Sequence, residues 1–376
     1  MVSRHLPTLA ALSAIIVMAS ALTSVSPRVF SFQVGATGFV KIGVIIDNGP
    51  PGTPDSVWAR DPTVLQEPDG SFKMWYNGFD GGRSIILLAT SSDGFSWTKQ
   101  GAVLDYGGNA GAPFVLREGS TYHMWFQAGS IFHAVSQDGR SWTVDGIALA
   151  PNYPNWDGLT VGTPWVVQYG GQYQLYFMGS DGGTDRIGLA TSSTYWNFTR
   201  VSSSPVFEPG GTWDSFKVRN PAVKPGNPWI MYYAGLGNSF FQVGIATSPD
   251  GVGWTRSSTP ILAPDPSPSW DSQGTVGAKF IDGAYGRRLY YTGSDGSRAK
   301  IGLAVEPSEI PQPAANPWQI PILVSIAAMD GAIGLFWYFV SYRPKEVRRN
   351  SAPIRDPSRP LASRPPKNVE IVTDPS

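Results

Sequence analysis

One strand pattern recurs five times between Arg60 and Val305, each copy carrying short apolar segments separated by turn residues. Its period of about 50 to 60 residues predicts an all-β fold, a five-bladed β-propeller. A strand-like segment from Gly38 to Ile46 supplies the fourth strand that the last copy lacks after Val305, so the N-terminal strand closes the last blade. A long apolar stretch near the C-terminus adds a transmembrane helix. The expected organisation is a signal peptide over 1–26, a propeller over 27–317, a transmembrane helix over 318–342 and a basic disordered tail over 343–376.

Leu9 to Leu22 is an apolar run behind Arg4 and His5, and Ala19-Ser20-Ala21 offers the small residues of a signal-peptidase site. The alternative is an uncleaved anchor, because Leu6 to Val25 carries no charge. The innermost strands then open at Arg60-Asp61-Pro62, Gly111-Ala112-Pro113, Gly162-Thr163-Pro164, Arg219-Asn220-Pro221 and Gly277-Ala278-Lys279. Second strands follow as Lys73 to Tyr76, His123 to Phe126, Gln174 to Phe177, Ile230 to Tyr233 and Leu289 to Tyr291. Third strands run Ile86–Thr90, Phe132–Ser136, Ile187–Thr191, Val243–Thr247 and Ile301–Val305. Hairpins at Asp93-Gly94, Asp138-Gly139 and Asp250-Gly251 supply the positive φ of a tight turn, and Trp97, Trp142 and Trp254 follow three residues later.

Past the last blade, Ile320 to Val340 gives roughly 30 Å of apolar helix, enough to cross a bilayer. Trp318, Trp337, Tyr338 and Tyr342 flank it, and Arg343, Lys345, Arg348 and Arg349 follow on what should be the cytoplasmic side. Asp330 lies near its centre, either as a contact with a partner helix or as a neutral Asp in a single-pass anchor. The tail from Asn350 is rich in Pro, Arg and Ser and has no apolar periodicity.

With 28 basic and 28 acidic residues the net charge is zero, which removes the footprint of a nucleic-acid binder. The zero is uneven: the tail is basic by roughly +4 and the propeller acidic by roughly −4. No Cys is present, so disulfides and thiolate chemistry are excluded, and 3 His make a multi-His metal site or a Ser-His-Asp triad poor choices. No cofactor or metal is expected. His123 and His133 alternate with large apolar residues and are expected to pack in the core or at a cleft edge. Asn197-Phe198-Thr199 fits an N-glycosylation sequon.

The five-fold pattern opened by Arg60-Asp61-Pro62 resembles the five-bladed propeller glycosidases, the superfamily of arabinanases, levansucrases and invertases, over Phe39 to Glu306. The resemblance implies that Asp61 acts as base or nucleophile and that carbohydrate is the partner. Two further carboxylates would be expected on later inner strands, yet the equivalent positions are Ala112, Thr163, Asn220 and Ala278. Glycoside hydrolysis generally needs two carboxyl groups. The remaining acid candidates are Asp157, Asp214 and Asp271, each following a Trp; their recurrence points instead to a structural role, capping a turn. Trp58, Arg60, Thr163, Arg219 and Asn220 are the expected substrate-binding residues, polar groups within an aromatic funnel suited to sugars. The hairpins Ser91 to Trp97 and its counterparts also resemble the Asp boxes of sialidases, one residue shorter; five blades and the lack of an Arg triad set that family aside. Two readings result: a membrane-anchored glycoside hydrolase facing outward, or a propeller that binds glycan or protein without the second carboxylate.

Overall fold

The computed structural model describes residues 33–34, 38–283 and 286–306. The expected signal segment (1–26), transmembrane helix (318–342), Asp330 and tail (343–376) lie outside them. Every element among the described residues is a strand, and none of their segments is a helix long and apolar enough to cross a membrane.

β1 (Gln33–Val34) pairs with β2 (Val40–Ile46). Strands β3 (Trp58–Gln66), β4 (Phe72–Phe79), β5 (Ser84–Ser91) and β6 (Thr98–Leu104) then pair antiparallel in chain order. The order repeats in β7 (Gly111–Glu118), β8 (Thr121–Ala128), β9 (Ser130–Ser136) and β10 (Thr143–Leu149). It repeats again in β11 (Thr160–Tyr169), β12 (Gln172–Ser180), β13 (Asp185–Ser192) and β14 (Thr199–Arg200). A further copy is β15 (Lys217–Lys224), β16 (Trp229–Leu236), β17 (Phe241–Ser248) and β18 (Thr255–Arg256). In the last, β19 (Gly274–Asp282), β20 (Arg287–Ser294) and β21 (Ala299–Val305) are completed by β2, which pairs antiparallel with β21 from Val40 opposite Val305 to Ile46 opposite Ile301.

The second strand of each group is buried along consecutive residues: Met74, Trp75 and Tyr76 are fully buried, as are Met124, Trp125 and Phe126, and Leu175, Tyr176 and Phe177. Burial of successive side chains means that both faces are covered, which is why these strands read as continuous apolar runs. Hydrogen bonds from second-strand aromatic residues join neighbouring groups at four junctions. Trp75 Nε1 donates to the Gly139 carbonyl (2.7 Å), Trp125 Nε1 to Tyr195 (2.8 Å) and Tyr176 Oη to Gly251 (2.8 Å). Tyr290 Oη donates to Gly94 (3.0 Å), joining the last group to the first across the whole chain.

Those acceptor turns are built by local chemistry. Ser91 Oγ accepts from the Gly94 amide (2.8 Å), Asp93 Oδ1 accepts from the amides of Phe95 and Ser96 (2.7 and 2.8 Å), and Gly94 holds φ 75°. Ser136-Asp138-Gly139 and Ser248-Asp250-Gly251 make the same bonds. The third hairpin lacks Asp-Gly; there Ser192 and Thr194 donate to the Trp196 carbonyl and Asn197 takes φ 60°.

Lead-in residues explain another regularity. Trp156, Trp213 and Trp270 each lie over a pair of glycines, where an added Cβ would meet the indole at 2.8 Å (Gly188), 2.2 Å (Gly244) and 2.5 Å (Gly302). The first group has Pro54 in place of the Trp, and Leu87 stands opposite Tyr76 where the three Trp-bearing groups carry Gly. The second has Tyr106, tilted against Phe132 at 4.9 Å. Each group fills the same volume with a different pair of residues.

Candidate functional site

Each innermost strand carries the same two-against-one bulge. In β3, Asp61 and Pro62 lie between Arg60, opposite Asn77, and Thr63, opposite Trp75, so both oppose Tyr76 alone. The register shifts likewise after Gly111, Gly162, Arg219 and Val276. The first bulge residue has positive φ every time: Asp61 50°, Ala112 45°, Thr163 44°, Asn220 55° and Gly277 65°. A non-glycine residue there costs on the order of 1 kcal/mol, and the four copies concerned accept it. The proline that follows has no N–H to lose from the ladder. In the last group Gly277-Ala278 replaces the X-Pro pair, so the counterpart of Asp61 is Gly277, not the expected Ala278. Only the register reveals this, because the Pro that marks the other bulges is missing.

The bulges turn these residues toward a common cavity of about 230 Å³, lined by Arg60, Asp61, Asn77, Ala112, Gln127, Thr163, Met178, Arg219 and Asn220 among others. The positive-φ positions touch one another there. Asn220 Nδ2 donates to Asp61 Oδ1 (3.1 Å), the Asp61 amide donates to Thr292 Oγ1 (2.8 Å), and the Asn220 amide donates to Thr163 Oγ1 (3.2 Å). Asp61 Oδ2 is 3.6 Å from Arg60 Nε, too long for a hydrogen bond, and Arg60 Nε donates instead to Asn77 Oδ1 (2.8 Å). Asp61 is therefore held in place yet keeps acceptor capacity. It is the one carboxylate among the cavity-lining residues.

Trp58 does not line this cavity but an adjoining one, together with Arg60, Arg219, Phe241, Gln273 and Thr292. Two single parallel pairings, Phe241 with Gly274 and Ala299 with Trp58, bring neighbouring groups together at that wall. Of the expected binding residues, Arg60, Thr163, Arg219 and Asn220 do line the first cavity.

Asp157, Asp214 and Asp271 are fully buried and absent from both linings. Each meets a cation from the outermost strand of its group: Arg200 Nε at 2.5 Å, Arg256 Nη1 at 2.6 Å and Lys41 Nζ at 2.6 Å. Asp214 also accepts from Tyr233 Oη (2.8 Å) and the Gly211 amide (2.7 Å). Asp55, 2% exposed, belongs to the same set, with Lys99 Nζ at 2.6 Å and Tyr76 Oη at 3.0 Å. Sequence reasoning missed it because Pro54, not Trp, precedes it. Burial next to these carboxylates pushes the Tyr76 and Tyr233 hydroxyls upward. The arrangement ties a lead-in loop to the edge of its sheet.

His123 and His133 are buried, with Nδ1 of the first 3.2 Å from Nε2 of the second, and His133 Nδ1 reaches Asp145 Oδ2 at 2.8 Å. Desolvation lowers both, His133 to about 4 against the pull of Asp145. The ring of His123 stacks on Tyr195 at 3.7 Å. Core packing was expected of this pair; the imidazole–imidazole–carboxylate chain was not. Lys279 was also missed. It is buried on β19, donates to the Pro221 carbonyl (2.8 Å) and lies 4.9 Å from the Trp165 ring, and burial lowers it to about 7 although Asp61 opposes the shift. Among the described residues no group of His, Cys, Asp and Glu is placed to hold a metal ion.

No family model matches the chain. Uncharacterised proteins from two strains of Mycobacterium tuberculosis are 32% identical over 183 residues, a match that spans 40% of this chain and 60% of theirs. The chain thus spans about three-fifths of the length of the curated relatives it matches. Among solved structures, a glycosyl hydrolase from Bacteroides ovatus is similar with TM-score 0.57 and 17% identity, over 73% of this chain and 93% of that one. A structure from the GH130 family of mannoside phosphorylases, which contains glycoside hydrolases that target β-1,2 mannosidic linkages in Candida mannan, gives TM-score 0.58 and 18% identity over 75% of this chain and 98% of that one. A thermostable family-43 glycoside hydrolase gives 0.55 and 16%, over 68% and 95%. At such identities the likeness speaks for fold and not for activity. The chain has the β-propeller-like fold of glycoside hydrolases.

Proposed function

We propose that this chain is a five-bladed propeller that binds saccharide in its axial cavity without cleaving it, anchored in the membrane by its C-terminal apolar segment and facing outward. The observation that carries the reading is the solitary Asp61. Hydrolysis with either stereochemical outcome needs a second carboxyl group across the pocket, at about 5 to 10 Å. The other positive-φ positions, where such a group would stand, are Ala112, Thr163, Asn220 and Gly277. What the cavity does offer is a set of hydrogen-bonding side chains (buried Asn77 and Asn220, half-buried Gln127) and two guanidinium groups, which suits the hydroxyl edges of a sugar.

The test is to incubate the full-length protein with a panel of mannans, arabinans, fructans and pectic oligosaccharides, measuring binding by calorimetry and products by chromatography. Saturable binding with no product is the expected result, and Asp61→Ala should weaken the binding. Product release that disappears in Asp61→Ala would establish a hydrolase instead. For the anchoring, tags at Pro27 and Ser376 should prove accessible from opposite sides of intact cells; access to both from the same side would contradict it.

A further inference from the structure

Arg60 and Arg219 stand at the seam between the two cavities, since both side chains line the axial cavity and the adjoining one. Each packs over an aromatic ring. The Arg60 guanidinium carbon is 4.7 Å from the Trp58 ring centre, and that ring is itself stacked on Phe79 at 4.4 Å. The Arg219 guanidinium carbon is 3.9 Å from the centre of Phe241. These ring contacts restrain both groups before any ligand arrives, so less rotamer freedom is lost on binding.

Neither guanidinium has a full complement of acceptors. Arg60 Nε is used by Asn77, but Asp61 stays 3.6 Å away. Arg219 approaches Asp185 no closer than 3.8 Å, and its Nε is buried without a hydrogen-bond partner among the described residues. Charge does not balance either. Among the described residues, the carboxylates paired with Arg60, Arg219 and Lys217 are Asp61 and Asp185, with Lys217 Nζ 3.6 Å from the latter. Desolvation and the nearby Arg60 charge both act to lower Arg219, while Asp185 and Asp61 hold it up. Two under-satisfied guanidiniums lining one cleft are what an oxyanion such as a carboxylate or sulfate requires.

We infer that the seam between Arg60 and Arg219 binds an anionic substituent, the carboxylate or sulfate of an acidic sugar, so that the ligand class is an acidic saccharide whose neutral body extends over the wall formed by Trp58, Gln273 and Thr292. This rests on the saccharide-binding reading above and narrows it. The Asp61 carboxylate, whose Oδ1 accepts from Asn220 and whose Oδ2 lies 3.6 Å from Arg60, offsets part of the positive charge at the seam.

The experiment compares calorimetric affinities of the full-length protein for oligogalacturonate, a sulfated oligosaccharide and a neutral oligosaccharide of equal length. Arg60→Gln and Arg219→Gln are measured beside the wild type, with unfolding midpoints to establish that each variant is folded. The expected result is a preference for the acidic ligands that weakens with added salt and a loss of at least about tenfold in each variant, as for removal of one charge-assisted hydrogen bond. Preference for oligogalacturonate over the sulfated sugar would name carboxylate as the group, and the reverse would name sulfate. Should Arg219→Gln fail to fold, Arg60→Gln, whose side chain is 39% exposed, decides alone. Equal or tighter binding of the neutral sugar would overturn the inference and leave saccharide binding standing. Binding to none of the three would overturn both.

Discussion

The molecule keeps two kinds of aspartate. Around the ring, Asp55, Asp157, Asp214 and Asp271 are buried to 2% exposure or less and meet a cation at 2.5 to 2.6 Å. On the axis, Asp61 is 14% exposed at its side chain, accepts one bond from an amide, and lies 3.6 Å from the Arg60 guanidinium. The first kind is repeated and closely ion-paired, although Asp157 keeps one buried oxygen without a partner among the described residues; the second is single and has no close ion pair. Removing a closely paired buried charge strands its partner, whereas one without a close ion pair has bonding capacity left for a ligand. That difference separates residues that hold the fold from residues that meet something outside it.

The largest effect should come from breaking the first kind. Asp214→Ala leaves Arg256, Tyr233 Oη and the Gly211 amide without their acceptor. Allowing for the quarter of Arg256 that solvent reaches, a loss of about 2 to 4 kcal/mol in denaturant-melt stability is expected. A change below about 1 kcal/mol would remove the distinction drawn here.

The pairing of lead-in Trp with strand glycine gives the next effect. Gly244→Leu drives a Cβ into Trp213 and should cost about 1 to 3 kcal/mol by overpacking. Combined with Trp213→Ala, the same substitution should be milder than the sum of the two, because Leu87 already fills the Trp-less first group. Strict additivity in the double-mutant cycle would show that the two groups are not solving one packing problem.

A smaller, pH-dependent effect belongs to the His123–His133–Asp145 chain. Both imidazoles are depressed in the folded protein, so the stability they contribute is present above the unfolded value of about 6.5 and is lost as pH falls toward the His133 value of about 4. Unfolding midpoints measured from pH 7.5 to 4.5 should fall, and His133→Gln should flatten the slope. An unchanged slope would mean that the pair is not protonation-linked to folding. Smallest of all, Ala112→Gly relieves a φ of 45° on the axis and should change stability by no more than about 1 kcal/mol, in the stabilising direction.

Much of this was legible in the sequence because the repeat states it five times. Strand positions, Asp-Gly hairpins and the pairing of the N-terminal strand with β21 follow from periodicity and turn chemistry. The structural role of Asp157, Asp214 and Asp271 followed from their recurrence; their cations did not, since Arg200, Arg256 and Lys41 lie 42 or more residues away in sequence. What stayed hidden was nonlocal or unmarked. Asp55 has no Trp before it, the Gly277 bulge has no Pro after it, and nothing in the residues near Lys279 tells that it is buried against the Pro221 carbonyl. The seam of Arg60 and Arg219 joins residues 159 positions apart by the same ring that joins Asp61 to Asn220. Only closure of the ring brings them together.

The most direct measurement is saccharide affinity and unfolding stability of Asp61→Ala determined on the same preparation. Weaker saccharide binding is expected, with stability within about 1 kcal/mol of wild type because Asp61 has no close ion pair to lose. Retained binding together with a stability loss like that of Asp214→Ala would place Asp61 among the structural aspartates and contradict this expectation.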